Sequence, residues 1–214
     1  PMVNAITRSG TLDEKTLVFK SMLIPFANQL ILSNKRGHKL GEEEKLIDQA
    51  LRCATNVKNR QTKAQDAGME YLESMIEKNN MLEHKALIFL LEHDEVSPSI
   101  RGLIANKLLS QYNRPIILLR HYADNGIDEL RGSVRGKAAD GLVNLKDAIT
   151  GITGVQKAEG HAFAFGIGID KNTLNEFKAH LTSVLANVDF NVNLYLIDLI
   201  AKASEVNIEM ANIM

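Results

Sequence analysis

The run from Ala86 to Leu119, ALIFLLEHDEVSPSIRGLIANKLLSQYNRPIILL, decides the fold class. Ala86–Leu91 is a short apolar run of buried-strand length. Ile100, Leu103, Ile104, Ala105, Leu108 and Leu109 then recur at helical spacing, behind a Ser97-Pro98-Ser99 stretch that reads as the cap of that helix. Pro115–Leu119 is a second apolar run, opened by a proline that suits the first position of a strand. Strand, helix and strand in so short a span form a βαβ unit, which requires parallel pairing and a right-handed crossover.

Downstream, Leu130–Gly136 reads as a strand, Leu142–Ile152 as a helix, Ala162–Ile169 as a strand rich in Phe and Gly, Leu174–Val188 as a helix, and Asn191–Leu199 as a last strand. Upstream the pattern is helical. Thr11 and Glu14 have the spacing of a capping box, and Pro25 ends or kinks the helix they start. Asn34–His38 reads as a turn. From Glu42 to about Lys78 the apolar spacing is that of one very long helix or of two joined near Ala67-Gly68, with Glu42, Glu43 and Glu44 suited to its positive start. The sequence therefore predicts an α/β protein in which a helical region, residues 1–80, precedes a mixed-sheet α/β domain, residues 81–214, containing the βαβ unit.

Of 214 residues, 45% are hydrophobic and 24% charged, an ordinary globular composition. No apolar run is long enough to cross a bilayer, so no membrane partner is expected. No secretory leader pattern opens the sequence, and the single cysteine, Cys53, can form no internal disulfide; both point to a reducing cytoplasm. Cys53 itself reads as a small buried hydrophobe. A net charge of −1 excludes a uniformly basic nucleic-acid binder. The charge is nevertheless segregated. Arg8, Lys15, Lys20, Lys35, Arg36 and Lys39 crowd residues 1–40, and Arg101, Lys107, Arg114, Arg120, Arg131, Arg135 and Lys137 crowd residues 101–140, which leaves room for a local basic groove.

No P-loop, HExxH, GxSxG or zinc-finger spacing is present, so no residue is assigned as catalytic. Glu92, His93, Asp94 and Glu95 form the one dense acid/His group, best read as an acidic loop after a strand. Two glycine-flanked segments carry more. In Arg131-Gly-Ser-Val-Arg135-Gly136 a strand period of two sends Arg131, Ser133 and Arg135 to one face, where guanidinium forks and a hydroxyl suit phosphate. In Glu159-Gly160-His161-Ala-Phe-Ala164-Phe-Gly166 a histidine stands between glycine and small residues, with the phenylalanines as core. Taken alone, each segment also has a bland structural reading.

Their order along the chain resembles the second half of RecJ, the DHH-family nuclease of single strands. Asn4-Ala5-Ile6-Thr7-Arg8 matches the family's N-A-x-x-R element, and Asn56-Val-Lys-Asn-Arg60-Gln61 its N-x-x-R-Q-like stretch. Ser97-Pro-Ser-Ile-Arg-Gly102-Leu-Ile-Ala105 is similar to H-P-G-V-x-G-I-V-A, and Arg114-Pro-Ile-Ile-Leu-Leu119 to R-P-V-I-x-L. Gly132-Ser133-Val134-Arg135 is the family's G-S-x-R, and residues 159–166 resemble G-G-H-x-x-A-x-G.

The resemblance implies the end of a DHH domain and a helical connector over residues 1–80, followed by a DHH-associated, substrate-binding domain. It implies single-stranded nucleic acid as partner, DNA rather than RNA, degraded 5′ to 3′ by a full-length enzyme. Arg135, Ser133, His161, Gly160 and Arg131 would bind the strand, and Arg8 and Asn4 would face it across the cleft. Mn2+ or Mg2+ would serve the full-length enzyme through ligands of an N-terminal DHH domain in cis. This chain has neither an Asp-His-His triplet nor an Asp-x-Asp pair, so no metal ligand is expected in it and no activity from it in isolation. A short-oligonucleotide or dinucleotide phosphodiesterase of the same superfamily, and a non-catalytic replication or repair scaffold, are the alternatives. Four departures matter: Ser97 stands for a histidine, Ser99 for a glycine, Glu159 for a glycine beside the proposed phosphate site, and Phe165 for a small residue.

Overall fold

The computed structural model describes residues 2–92, 95–124 and 127–191. Three short helices open the chain: α1 (Met2–Ser9), α2 (Leu12–Ser21) and α3 (Ile24–Ala27). The capping box that starts α2 is formed as the sequence predicts. The Thr11 hydroxyl accepts from the Glu14 amide, and the Glu14 carboxylate accepts from the Thr11 amide. Pro25 does not terminate α2, which already stops at Ser21. It sits in the first turn of α3, where its missing N–H costs nothing.

A two-stranded ribbon follows, β1 (Leu30–Leu32) paired antiparallel to β2 (Glu43–Lys45) around the expected turn. The glutamates assigned to a helix start lie instead in or beside this ribbon. Glu44 takes Arg52 in a two-pronged pair, at 2.6 Å on one prong, and that bond holds its carboxyl down to about 2. The helix they precede, α4 (Leu46–Lys78), is a single unbroken element of 33 residues, so the break considered near Gly68 does not occur. Gly68 lies on the buried face of α4, where a Cβ would come within 2.7 Å of the Ile104 side chain.

The βαβ unit is present. β3 (Leu87–Leu91), α5 (Arg101–Tyr112) and β4 (Ile116–Asp124) are joined by parallel pairing of the two strands. Ser97 and Ser99 do not cap α5; their hydroxyls bond each other at 3.1 Å and Ile100 occupies the cap position. β5 (Ile127–Arg135), α6 (Leu145–Thr150), β6 (Val155–His161), β7 (Ala164–Asp170) and α7 (Leu174–Val184) complete the described domain. The sheet runs β3-β4-β5-β7-β6, with β3–β4 parallel and every other pair antiparallel. Strand β6 escaped the sequence reading because only Val155 and Ala158 turn toward the core, leaving too few apolar positions to show a period. The strand expected over Asn191–Leu199 falls, beyond Asn191, outside the described residues, as do His93 and Asp94 of the acidic loop.

One face of the sheet packs Ile117, Leu119, Leu130, Val134, Phe165, Ile167 and Ile169 against α6 and α7. The other packs Leu87, Phe89, Leu91, Ile116 and Leu118 against α5 and the C-terminal half of α4. A third cluster, Ala5, Ile6, Val18, Ala50, Ala54 and Val57, joins α1 and α2 to the N-terminal half of α4. Phe89 is fully buried in the second cluster. Phe89→Ala is expected to lower the unfolding free energy by about 3–5 kcal/mol, read as a fall in the urea midpoint at unchanged slope.

Candidate anion-binding site

The strand register puts the cationic residues on a surface of their own. Directly opposed residues of an antiparallel pair share a face. Arg135 pairs with Ala164, which pairs with His161; Ser133 pairs with Gly166, which pairs with Glu159; Arg131 pairs with Gly168, which pairs with Lys157. Since Val134 and Phe165 of the intervening rows point into the core, these three rows all look the opposite way. α5 lies over β4 and the adjoining side of β5 on that face, and the part over Ala164, Gly166 and β6 stays open. The result is a trough. Ala164, Gly166 and Gly168 make its small-residue floor, with β5 side chains along one wall and β6 side chains along the other. Two strand spacings, about 10 Å, separate the walls.

Arg135 is half-buried at the end of β5. Its guanidinium donates to the Val134 carbonyl at 2.7 Å, and among the described residues no carboxylate pairs with it. Burial, and then the like charge of Arg8, pull it below its ordinary pKa. An arginine so placed stays protonated near neutrality, so the site holds positive charge that the protein does not compensate. Arg8 arrives from the last turn of α1, and its Nε donates to the Asn4 side-chain oxygen at 2.9 Å, one helical turn back. Asn4 thus orients Arg8, and Arg8 also lacks a carboxylate partner among the described residues. The Ser133 hydroxyl lies one row along from Arg135, half-buried and without a hydrogen bond among the described residues.

His161 is exposed on the far wall, in the same row as Arg135. Gly160 before it has φ +136, a conformation that favours glycine, and a Cβ there would lie 2.7 Å from the Ala164 carbonyl oxygen. The hairpin tip is held from outside. Lys146, in the first turn of α6, donates through its amide to the Ala162 carbonyl at 2.9 Å and through Nζ to the Gly160 carbonyl at 3.0 Å, while the Gly136 amide donates to the Phe163 carbonyl at 2.8 Å. Lys146 was absent from the sequence reading. The available signal was Asn144, whose side chain accepts from the Asp147 amide and so marks a helix start beside the site.

Arg131 shares the trough face but not the charge state. Its Nε is paired with Glu129, and its guanidinium lies over the Tyr122 ring at 3.9 Å from the centroid. Glu159 is on this face too and does not point away. It forms an exposed pair with Lys157 at 3.1 Å, so each wall carries one self-compensated cation. Phe165, by contrast, is buried on the opposite side and does not shape the trough. Other family-like positions are structural. Arg60 pairs with Glu14 at 2.8 Å, Gln61 donates to the Ser9 hydroxyl at 2.9 Å, and Arg114 holds the carbonyls of Leu82 and His84. Among the described residues no three His, Cys, Asp or Glu side chains gather as a cation site, so a two-metal centre does not fit them. No described helix is long and apolar enough to cross a membrane.

Residues 83–187 match the DHHA1 domain family. An SPbeta prophage-derived protein of Bacillus subtilis (strain 168), named as the single-strand DNA-specific exonuclease YorK, is 27% identical over 201 residues. That alignment takes in 90% of this chain and 34% of the relative, so the chain spans about a third of the length of the curated relatives it matches. Exonuclease RecJ bound to manganese superposes with a TM-score of 0.50 at 19% identity, over 87% of this chain and 39% of that one. RecJ from Thermus thermophilus in complex with Mn2+ gives 0.52 at 19% identity, over 87% and 23%. At this identity the likeness establishes the shared fold, a helical region leading into a mixed sheet.

Gly160, near the end of β6 just before the hairpin turn, makes a direct test of the hairpin geometry. Gly160→Ala meets backbone atoms on the neighbouring strand, which cannot swing aside. It is expected to cost on the order of 1–3 kcal/mol, seen as a lowered thermal midpoint; an unchanged midpoint would show that the turn relaxes freely.

Proposed function

We propose, for a chain that belongs to the RecJ-like DHH family and carries its DHHA1 domain over residues 83–187, that it is the strand-gripping C-terminal portion of an exonuclease acting on single-stranded DNA. The observation that carries this reading is Arg135, half-buried on the trough face with no carboxylate partner among the described residues, and the like charge of Arg8, equally unpaired there, acting on it. Two fixed forks of N–H donors with uncompensated charge suit a phosphate, whose oxygens accept bidentate bonds. The Ser133 hydroxyl adds a donor on the same face. The glycine floor of β7 lets a sugar–phosphate backbone approach the sheet, and His161 with the Gly160 turn closes the far side.

In this reading the chain binds and orients the strand, and hydrolysis in the 5′ to 3′ direction belongs to the longer enzyme. A divalent metal, Mn2+ or Mg2+, held by an N-terminal DHH domain in cis, would activate the attacking water there. The apolar surface of the helical region supports such a partner. Leu12, Met22, Leu23, Ile24, Leu30 and Leu32 are all exposed on α2, α3, β1 and the links between them, and apolar residues so concentrated mark contact surfaces.

Two variants test the grip. Arg135→Ala should weaken oligonucleotide binding by on the order of 1.5–3 kcal/mol, equally for all base sequences, and reduce the slope of log affinity against log salt by about 0.7. Unchanged affinity and slope, measured by fluorescence anisotropy from low to moderate salt, would remove Arg135 from the site. Glu159→Gln should act oppositely, tightening binding by removing the one carboxylate on the β6 wall; weaker binding would place the strand elsewhere.

A further inference from the structure

We infer that Gly102, in the first turn of α5, is a positioning residue that seats the Arg135 guanidinium over the trough. This rests on the reading of Arg135 as a phosphate contact. A Cβ built at Gly102 would lie 2.4 Å from the outer guanidinium nitrogen of Arg135 and 3.3 Å from its Cζ. The outer end of the guanidinium therefore occupies the space that a side chain at residue 102 would fill.

Nothing electrostatic draws it there. The first turn of a helix is its positive end, which repels a cation, and Arg8 adds a like charge. No carboxylate among the described residues reaches over to hold it, and its protein acceptor is the carbonyl of Val134, its own neighbour in the chain. The conformation is therefore set by shape. Between the end of β5 and α5 there is a slot whose depth depends on residue 102 having no side chain, and the fork lies in that slot.

Glycine is a poor helix former, and alanine at the same position would favour α5. The clash that alanine introduces falls on the far end of a flexible side chain, which can swing away without disturbing backbone. Gly102→Ala should therefore leave the fold intact and displace the guanidinium alone. That separates positioning from folding.

The test is a double-mutant cycle on the full 214-residue chain, with a 5′-phosphorylated oligothymidylate as probe and anisotropy titrations over a range of salt. Gly102→Ala is expected to weaken binding on the order of tenfold, to lower the salt slope as Arg135→Ala does, and to keep or raise the thermal midpoint. The double variant should bind no more weakly than Arg135→Ala alone. In an Arg135→Lys background, where the ammonium stops short of the slot, adding Gly102→Ala should change nothing; a loss there would show that alanine acts on α5 itself and would overturn the inference. So would an unchanged affinity for Gly102→Ala, or additive losses in the double variant, while Arg135→Ala still binds weakly. If Arg135→Ala itself binds normally, the phosphate role of Arg135 fails first, and the inference with it.

Discussion

The alternation of β5 couples the core to the site. Leu130 and Val134 point into the layer formed with α6 and α7, and a strand that buries those two must turn Arg131, Ser133 and Arg135 to the other side. β7 repeats the constraint with Phe165, Ile167 and Ile169 inward, which leaves Ala164, Gly166 and Gly168 outward beside the β5 cations. The trough is thus the reverse side of a well-packed core. A one-residue slip of β5 against β7 would bury the arginines and expose the apolar residues, so the register that stabilises the domain is also the register that builds the site.

Charge compensation then divides the trough into unlike parts. The Arg131 row is balanced within each wall, Arg131 by Glu129 and Lys157 by Glu159. The Lys157–Glu159 pair is exposed and contributes little to stability, while Glu129 is buried beside Arg131, and both pairs cancel attraction for an anion at that end. Among the described residues the Arg135 row has no such acid. The like charge of Arg8 acts on it from α1, and the positive first turn of α5 lies beside it. Attraction is therefore concentrated at one end of the trough, although the chain as a whole carries a net charge of −1. The result is a local positive spot within a nearly neutral surface.

Much of this was legible in the sequence, for reasons that differ residue by residue. The parallel β3–β4 pair announced itself because both runs, Ala86–Leu91 and Pro115–Leu119, are continuously apolar: β4 is buried on both faces over Ile116–Leu119, and β3, at the sheet edge, keeps the pattern although Leu90 is exposed. Arg135, Ser133 and Arg131 could be assigned to one face because period two is a local property. Partners could not. That Arg131 lies over Tyr122 depends on cross-strand register, and that Glu44 answers Arg52 rather than a helix terminus depends on the ribbon turn, whereas the Arg131–Glu129 pair, two residues apart on one strand, was within reach of the period. β6 was invisible because a wall strand of the trough shows solvent all but two of its side chains, and polar residues carry no period. Gly102 lay within a recognised motif, yet its contact with Arg135 joins residues from different elements, which no spacing rule reports.

The position of Arg8 is the step that needs the whole chain. Residues so far apart in sequence as Arg8 and Arg135 can come within reach of each other's charge only if the helical region and the sheet are fixed to one another, and α4 does this. Its N-terminal half packs Ala50, Ala54 and Val57 against α1 and α2, and its C-terminal half packs Leu72 and Ile76 beneath β3 and α5. At 1.5 Å per residue the helix is about 50 Å long, and it belongs to both cores without a break. The bonds from Arg60 to Glu14 and from Gln61 to Ser9 pin α1 and α2 to its middle, next to the point where Arg8 leaves α1. The N-x-x-R-Q-like stretch is therefore structural in this chain: it holds in place the helix that carries Arg8. A continuous helix carries such placement better than a loop would, since bending it breaks backbone hydrogen bonds as well as side-chain contacts. The anion site is in this sense a junction between two separately packed bodies, and its geometry is as stable as the helix that joins them.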